Sequence, residues 1–363
     1  MSAVNIEVLI EKWFNKKISL ERIEKYCQQL SIKRRRLSED IDPENIRVSC
    51  VQRQIQPVNS IERYIDILCG FVGQAVKEDS YLIIFPEYNF FDLFGLIPGF
   101  NFLNKFLNEK AVKAKDKEKN REEEPGLKVN NHFLTTIFTG VAKPIEAGIK
   151  RIFSLLAKEY GIYIYSGSYI LKEKEEIYNA GSLFGLDGNL IGTQKKIHLT
   201  DFEVKIGIKK ASKMEVYSLP FGKVVCPICM DATYFETFRI AREIGADMVI
   251  LPIANLEEYS IWKALRGIWP RVQESYLYGL KSSLNGWIAG MHFTGKAGIF
   301  IPLLMTEKKD GVLSLSPSYE GNHLITANLS IKRLYKAREK AEYHEDKNPE
   351  FEKKYIERTY SIS

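Results

Sequence analysis

Cysteine is scarce in this chain of 363 residues, which contains five. A sparse, odd-numbered set in a long chain argues against a disulfide framework and favours a reducing compartment. No apolar run approaches the roughly 20 residues that a membrane-spanning helix needs. The N-terminal segment carries charges throughout and lacks the apolar core of a secretory signal. We therefore expect a soluble, cytoplasmic protein that does not engage a membrane.

Several motifs of common enzyme classes are missing. The sequence contains no G-x-S-x-G elbow, no P-loop and no H-E-x-x-H. The 52 basic and 46 acidic residues are mostly interspersed and give a net charge of +6. Because no basic stripe with interleaved aromatic residues is present, we expect no nucleic-acid partner.

The apolar residues, 45% of the chain, follow an alternating strand and helix pattern. Residues 81–85 and 248–252 are near-continuous apolar runs, typical of strands covered on both faces, and residues 142–160 have helical periodicity. The pattern predicts a single α/β domain over 46–340. It also predicts a helix over 262–283, bent or restarted at Pro270.

Three segments fall outside this pattern. Residues 1–45 are predicted to form an N-terminal helical appendage, and residues 341–363 a charged C-terminal tail. A highly charged insertion at about 101–130 interrupts the core pattern. A solvated loop or frayed helix is the ordinary interpretation of the insertion, and a functional lid is the alternative.

A reactive side chain follows an apolar strand in each of three segments, at 85–91, 193–203 and 224–239. These side chains are Glu87, Lys196 and Cys229. Open α/β sheets place their ligand sites at such strand ends. Taken singly, each residue has an ordinary explanation as a surface charge, a helix cap, a solvated lysine or a buried core cysteine.

Chemically, the three residues form a coherent set. A cysteine before a helix loses its proton more easily than a free thiol, so we expect a lowered pKa for Cys229. A carboxylate between apolar walls, such as Glu87, is a suitable general base for a thiol. An ammonium such as that of Lys196 can stabilise the thiolate and then an oxyanion.

Cys229 also forms a C-x-x-C pair with Cys226, which raises zinc and redox alternatives. A zinc site usually needs a second such pair, and the sequence has none. A redox pair usually opens a helix, whereas Cys226 falls inside an apolar strand. His198, two residues after Lys196, leaves a Cys–His pair as a further alternative, and His292 is interpreted as a buried, satisfied histidine.

The chain resembles the nitrilase superfamily, the carbon–nitrogen hydrolases with a Glu–Lys–Cys triad. The sequences FPE at 85–87, KKIHL at 195–199 and ICMDATYFETFR at 228–239 resemble the glutamate, lysine and nucleophile motifs of that family. The resemblance runs over about 46–338. It implies a four-layer α-β-β-α sandwich that dimerises across a helical face, with residues 234–244 and 262–283 as candidates for that face.

The resemblance also assigns roles. It implies that Glu87, Lys196 and Cys229 are catalytic, without metal or organic cofactor. Many members use a second glutamate seven or eight residues after the lysine, which Glu203 matches; a surface acid at a strand end is its ordinary interpretation. The implied reaction transfers an acyl group from a small-molecule substrate to water through a cysteine thioester.

The substrate is the least determined part. We predict that Tyr88, Asn255 and Met230 bind it. The sequence departs from the family at Met230, at Lys195 and at 295–297, where Gly-Lys-Ala replaces a glycine-serine element, and these departures affect substrate shape more than the triad. An amide or carbamoyl compound is expected first, then a nitrile, then acyl transfer to an amine. A catalytically silent binding or scaffold protein stays open; a metal-dependent phosphodiesterase would need clustered Asp and His ligands, which the sequence lacks.

Overall fold

The computed structural model describes residues 3–30, 41–117, 131–341 and 348–361. Residues 118–130 of the predicted insertion lie outside these ranges, as do parts of the predicted appendage and tail. Within the described ranges, no helix is both long and apolar enough to cross a bilayer.

The described strands and helices alternate as the sequence pattern predicts. The strands are β1 (Ile46–Gln54), β2 (Leu82–Ile84), β3 (Tyr163–Glu173), β4 (Glu176–Phe184), β5 (Leu190–Lys195), β6 (Tyr217–Leu219), β7 (Gly222–Val225), β8 (Met248–Ile253), β9 (Tyr278–Ile288), β10 (Met291–Phe293), β11 (Gly298–Phe300), β12 (Val312–Leu315) and β13 (His323–Leu329). The helices are α1 (Ala3–Lys17), α2 (Leu20–Gln29), α3 (Ile61–Lys77), α4 (Phe100–Lys117), α5 (Asn131–Tyr160), α6 (Asp201–Lys205), α7 (Phe235–Glu243), α8 (Ile261–Ala264), α9 (Ile268–Ser275), α10 (Ile331–Glu339) and α11 (Pro349–Ser361).

The strands join in the order β5-β4-β3-β2-β1-β9-β8-β7-β6. Strands β1, β2 and β3 run parallel, as do β7, β8 and β9. The long strand β9 connects the two halves, since it pairs with β8 along one part and with β1 near Ser283. The carboxyl ends of the parallel strands therefore meet along one edge, where parallel sheets place their ligand sites.

Adjacent strand residues pack into different apolar layers. Ile84 and Ile250 belong to the central cluster, which takes residues from both halves of the sheet. Their neighbours Ile83 and Leu251 point the opposite way, Ile83 towards α3 and α5 and Leu251 towards α7 and α9. Burial on both faces explains the near-continuous apolar runs of these strands. The result is the α-β-β-α arrangement that the resemblance implies.

The segment predicted as an N-terminal appendage packs onto the main domain. Phe14 of α1, Ile18 just after that helix, and Ile23 and Cys27 of α2 are buried in the same cluster as residues of α3 and α5. The Gly148 position of α5 lies against Ile18, where an added Cβ would come within 2.3 Å of a methyl group. These helices therefore share their core with the α/β domain, and the predicted domain boundaries stay predictions.

The predicted helix over 262–283 is wrong in its last part. Helix α8 ends at Ala264, and α9 restarts at Ile268 with Pro270 in its first turn, where proline is tolerated. From Tyr278 the chain is β9. Because β9 is covered on both faces and carries lysine and serine among its apolar residues, it lacks the alternation that marks a strand. In the predicted insertion, residues 101–117 belong to α4.

Candidate active site

Glu87 stands two residues beyond the apolar stretch that ends with β2 and Phe85, and its side chain is buried. Its Oε1 accepts hydrogen bonds from Asn179 Nδ2 at 2.9 Å and from Lys196 Nζ at 2.8 Å. The carboxylate is also close enough to the Cys229 thiol to raise the pKa of that thiol. Burial raises the pKa of Glu87 and the Glu203 charge adds to the rise, while Lys196 opposes it. A base with a raised pKa holds a transferred proton better than a solvated glutamate does.

Lys196 directly follows β5 and is 1% exposed. Its Nζ donates to Glu87 Oε1 and to Glu203 Oε2, each at 2.8 Å. Burial alone would lower the pKa of Lys196, but Glu87, Cys229 and Glu203 outweigh it and raise the pKa, so the ammonium stays charged. The adjacent Lys195 points away and pairs with Glu173 at 2.5 Å. Adjacent side chains of an extended segment point to opposite faces, as these two lysines do.

Glu203 belongs to the short helix α6 and is fully buried, so its interpretation as a surface acid is wrong. A capping box with Thr200 starts this helix: the Thr200 backbone N–H donates to Glu203 Oε2 at 2.8 Å. Tyr88 donates its hydroxyl to Oε1 at 2.6 Å, and Asn179 donates at 2.8 Å. Burial would raise the pKa of Glu203, but Lys196, the Thr200 backbone N–H and the Tyr88 hydroxyl lower it. Two carboxylates thus hold one ammonium between them.

Cys229 begins a 3₁₀ turn after β7 and has a positive φ of 45°, which is uncommon outside glycine. Its Sγ lies 3.6 Å from Asn255 Oδ1, next to the backbone of Ala254. Burial raises the pKa of Cys229 well above its usual value, Glu87 raises it further, and Lys196 opposes the rise. The predicted lowered pKa is therefore wrong for the free enzyme. Helix α7 begins only at Phe235, too far along the chain to offset burial.

Sequence reasoning missed Asp231, a buried carboxylate two residues after Cys229. Its Oδ2 accepts from the Ile228 N–H at 2.8 Å, and its Oδ1 accepts from the His198 N–H at 2.6 Å. The His198 ring nitrogen Nδ1 also lies 3.0 Å from Oδ1, and the ring stacks on Tyr234. Asp231 thus connects the turn that contains Cys229 to the segment that follows Lys196, and its carboxylate is the hydrogen-bond partner of the His198 ring. The sequence signal that could have identified Asp231 is its position two residues after the cysteine.

Sequence reasoning also missed Asn179 of β4, whose amide donates to both Glu87 and Glu203. An asparagine inside an apolar strand carries no signal of its own, because its two partners come from other segments.

These observations can be set beside known proteins. The family model for carbon–nitrogen hydrolases matches residues 12–271. The chain belongs to the carbon–nitrogen hydrolase family. This membership confirms the resemblance to the nitrilase superfamily.

Individual carbon–nitrogen hydrolases are similar over part of their length. Probable hydrolase YhcX of Bacillus subtilis is 26% identical over 297 residues, which cover 79% of this chain and 51% of that protein. Omega-amidase NIT2-A of Xenopus laevis is 31% identical over 131 residues, covering 34% of this chain and 48% of that protein. The chain spans about half the length of the curated relatives it matches. A mutant of the amidase from Nesterenkonia sp. AN1 has a TM-score of 0.59 at 16% identity, covering 88% of this chain and 100% of that one, which confirms the fold.

The three residues predicted to bind substrate lie beside Cys229 or beside Glu203. Asn255 contacts the Cys229 Sγ, and Met230 is the next residue after Cys229 and partly buried. Tyr88 is buried, with its hydroxyl on Glu203 and its ring stacked on Phe91 at 4.7 Å. Their roles in substrate binding stay predictions.

The zinc and redox alternatives for the C-x-x-C pair find no support in the geometry. Cys226 is buried in the central apolar cluster, whereas Cys229 packs against the cluster under α7 and α9. Both thiols are free. Among the residues with described positions, no group of three or more His, Cys, Asp and Glu side chains could hold a metal ion.

Proposed function

We propose that this protein hydrolyses a non-peptide carbon–nitrogen bond, in an amide or carbamoyl compound, through a thioester on Cys229. The observation that carries the proposal is the buried Glu87 carboxylate, which accepts a hydrogen bond from the Lys196 ammonium and is close enough to the Cys229 thiol to raise its pKa. One carboxylate can therefore take the thiol proton while the neighbouring cation faces the charge that develops on the substrate.

In the first half-reaction, Glu87 takes the proton from Cys229 as Sγ attacks the carbonyl carbon. The high pKa of the thiol makes this coupled transfer necessary, because little free thiolate exists beforehand. Lys196 and the backbone N–H of Met230 stabilise the oxyanion. The tetrahedral intermediate collapses when Glu87 returns its proton to the leaving nitrogen, which departs as ammonia or an amine.

In the second half-reaction, water replaces the amine. Glu87 takes a proton from the water as its oxygen attacks the thioester carbon, and Lys196 again faces the oxyanion. Collapse releases the carboxylic acid and returns the proton to Sγ. Glu203 holds Lys196 in place and balances its charge, so we assign it a positioning role.

The names of the relatives support an amide rather than a nitrile. Two of them are an omega-amidase and an amidase, and the Nesterenkonia protein carries the acetamide moiety of fluoroacetamide on its active-site cysteine. The test is a panel of amides, carbamoyl compounds and nitriles, assayed with and without a chelator. Release of ammonia from amides, unaffected by the chelator, supports the proposal. Turnover of none of these compounds, or loss of turnover with chelator, contradicts it.

We also propose that the protein is a cytoplasmic homodimer. Its scarce, free cysteines favour a reducing compartment. The helical face predicted for dimerisation exposes Phe235 and Ile240 on α7 and Trp262 on α8, which is 77% exposed. By contrast, Leu277 and Leu280 are fully buried and belong to the core rather than to that face. Contiguous exposed apolar patches mark association surfaces, and we assign the dimer contact to this face.

A further inference from the structure

A buried ion pair lies next to the segment that carries Glu87. Arg53 of β1 and Asp92 are both fully buried, and Arg53 Nη2 donates to Asp92 Oδ2. The proposed reaction uses neither side chain. Burying such a pair often adds no stability over apolar side chains of similar volume, because both ions lose their hydration. A pair kept in the core can instead fix the local geometry.

Arg53 also holds the main chain two residues beyond Glu87. Its Nη1 donates to the Asn89 carbonyl oxygen at 3.0 Å and to Asn89 Oδ1 at 2.7 Å. The Tyr64 hydroxyl donates to the same carbonyl oxygen at 3.1 Å. Because a guanidinium presents its donors in a rigid planar fork, Arg53 fixes Asn89 and Asp92 relative to each other. The chain beyond Glu87 is thus attached to β1 by a buried charged group.

Strand β3 holds the same part of the chain from its other side. The Tyr88 N–H donates to Ser168 Oγ at 3.0 Å, and the Asn89 N–H donates to the Ser168 carbonyl oxygen at 3.1 Å. Asn89 Nδ2 donates to the Ser166 carbonyl oxygen at 3.0 Å. Asn89 is therefore held by both its main chain and its side chain, between β1 and β3.

The residue between Glu87 and Asn89 has a strained backbone. Tyr88 has a positive φ of 51°, and a residue other than glycine keeps such a value only when its surroundings enforce it. Its hydroxyl donates to Glu203 at 2.6 Å. The Tyr88 backbone sets the direction of the chain at Glu87. If Asn89 were released, Tyr88 could relax and the Glu87 carboxylate would move away from Cys229.

We propose that Arg53, together with Asp92, is a positioning residue that holds the main chain at Asn89 so that Glu87 faces Cys229. The inference rests on the proposed function, in which Glu87 transfers the proton. A purely structural role for the ion pair predicts a loss of stability alone. Positioning predicts a loss of turnover in variants that stay folded.

The first test measures kcat and KM for the best amide substrate, well below the melting temperature of each variant. Arg53→Met should lower kcat by about 10², the effect of a misplacement of about 1 Å, while KM changes by less than about threefold. Arg53→Lys keeps the charge beside Asp92 but lacks the fork, so its kcat should lie between those of wild type and Arg53→Met. Wild-type kcat in both variants, or a change confined to KM, would overturn the proposal.

Iodoacetamide labelling reports the position of Glu87 without any substrate. Burial and then Glu87 raise the pKa of the Cys229 thiol, so a displaced carboxylate should increase the thiolate fraction and speed labelling near neutral pH. Cys226, buried in the central apolar cluster, reports general opening of the fold. Arg53→Met should label faster at Cys229 but not at Cys226. Unchanged labelling of Cys229, or an equal increase at both thiols, would contradict the inference.

A second buried ion pair provides the matched control. Arg338 of α10 donates to Asp247 Oδ1 at 3.0 Å. Asp247 immediately precedes β8, whereas Asn255, which contacts Cys229, follows the other end of that strand. Arg338→Met should lower the melting temperature but keep kcat and Cys229 labelling within about threefold of wild type. If it lowered kcat as much as Arg53→Met does, breaking any buried pair would explain the loss and the proposal would fail.

A double variant separates stability from position. Arg53→Met/Asp92→Asn removes both charges and keeps an oxygen acceptor for the Gln56 N–H, which donates to Asp92 Oδ1 at 2.8 Å. Because no unpaired charge stays buried, its melting temperature should exceed that of Arg53→Met. Its kcat should stay low, since Asn89 still lacks the guanidinium. Recovery of kcat along with the melting temperature would refute positioning.

These measurements also separate the inference from the proposed function. If the wild-type protein hydrolyses no amide, the proposed function fails, while the labelling of Cys229 in the Arg53 variants still decides the inference. If the wild type hydrolyses amides and the folded variants match it in kcat and labelling, only the inference fails.

Discussion

The two adjacent lysines allow the sharpest comparison. Lys196→Met removes the cation that lies 2.8 Å from both Glu87 and Glu203, whereas Lys195→Met removes one that pairs with the exposed Glu173. Both variants remove one charge from neighbouring positions in the chain. Any difference between them therefore reports where each ammonium lies.

The magnitudes follow from burial. Loss of one oxyanion donor typically costs about 2.7–4 kcal/mol, or about 10²–10³ in kcat. Lys196→Met also leaves two buried carboxylates without their cation, and breaking a buried pair typically costs about 3–5 kcal/mol of stability. Proton uptake by Glu87, whose pKa is already raised, offsets part of that loss. An exposed pair such as that of Lys195 contributes about 0–1 kcal/mol.

The assay measures kcat well below the melting temperature of each variant, together with iodoacetamide labelling of Cys229 near neutral pH. Lys196→Met should lower kcat by at least about 10². It should also slow labelling, because Lys196 opposes the high pKa of the thiol. Lys195→Met should change either rate by less than about tenfold. If Lys195→Met were the more damaging variant, the assignment of Lys196 would be refuted.

Three further predictions concern the surroundings of the triad. Because the pKa of Glu203 is lowered in the fold, its ionised form stabilises the protein at pH values above the ordinary pKa of 4.5, and this contribution is lost as the pH falls below that value. The difference in unfolding free energy between wild type and Glu203→Gln should therefore shrink on acidification. A difference that stays constant with pH would contradict this prediction. Asp231→Asn should weaken the hydrogen bonds to Ile228 and His198, lowering the free energy of unfolding in denaturant by about 1–3 kcal/mol and also lowering kcat. An unchanged unfolding free energy together with an unchanged kcat would contradict this prediction. Light scattering at micromolar concentration should show at least a dimer, and Trp262→Lys should favour the monomer; a monomeric wild type would contradict the proposed face.

The contacts of Glu87, Lys196 and Cys229 could be anticipated because each side chain follows an apolar strand in a recognisable motif. The opposite orientations of Lys195 and Lys196 follow from strand geometry alone. The raised pKa of Cys229 could not be anticipated, since it depends on burial and on Glu87, which lies far away in sequence.

Other features depend on tertiary contacts that local patterns do not encode. Asn179 acquires its importance from two carboxylates contributed by other segments. Strand β9 was predicted as part of a helix because its lysine and serine residues obscure the strand pattern, although they are buried once β1, β8 and β11 surround it.

The most direct test of the central claim compares two alanine variants in hydrolysis of the best amide substrate. Cys229→Ala should abolish turnover, lowering kcat by at least about 10³, because no other group can form the acyl intermediate. Cys226→Ala, which removes a thiol from the central apolar cluster, should keep most of the activity at a temperature where it stays folded. Substantial turnover by Cys229→Ala, or equal losses in the two folded variants, would contradict the assignment of Cys229 as the nucleophile.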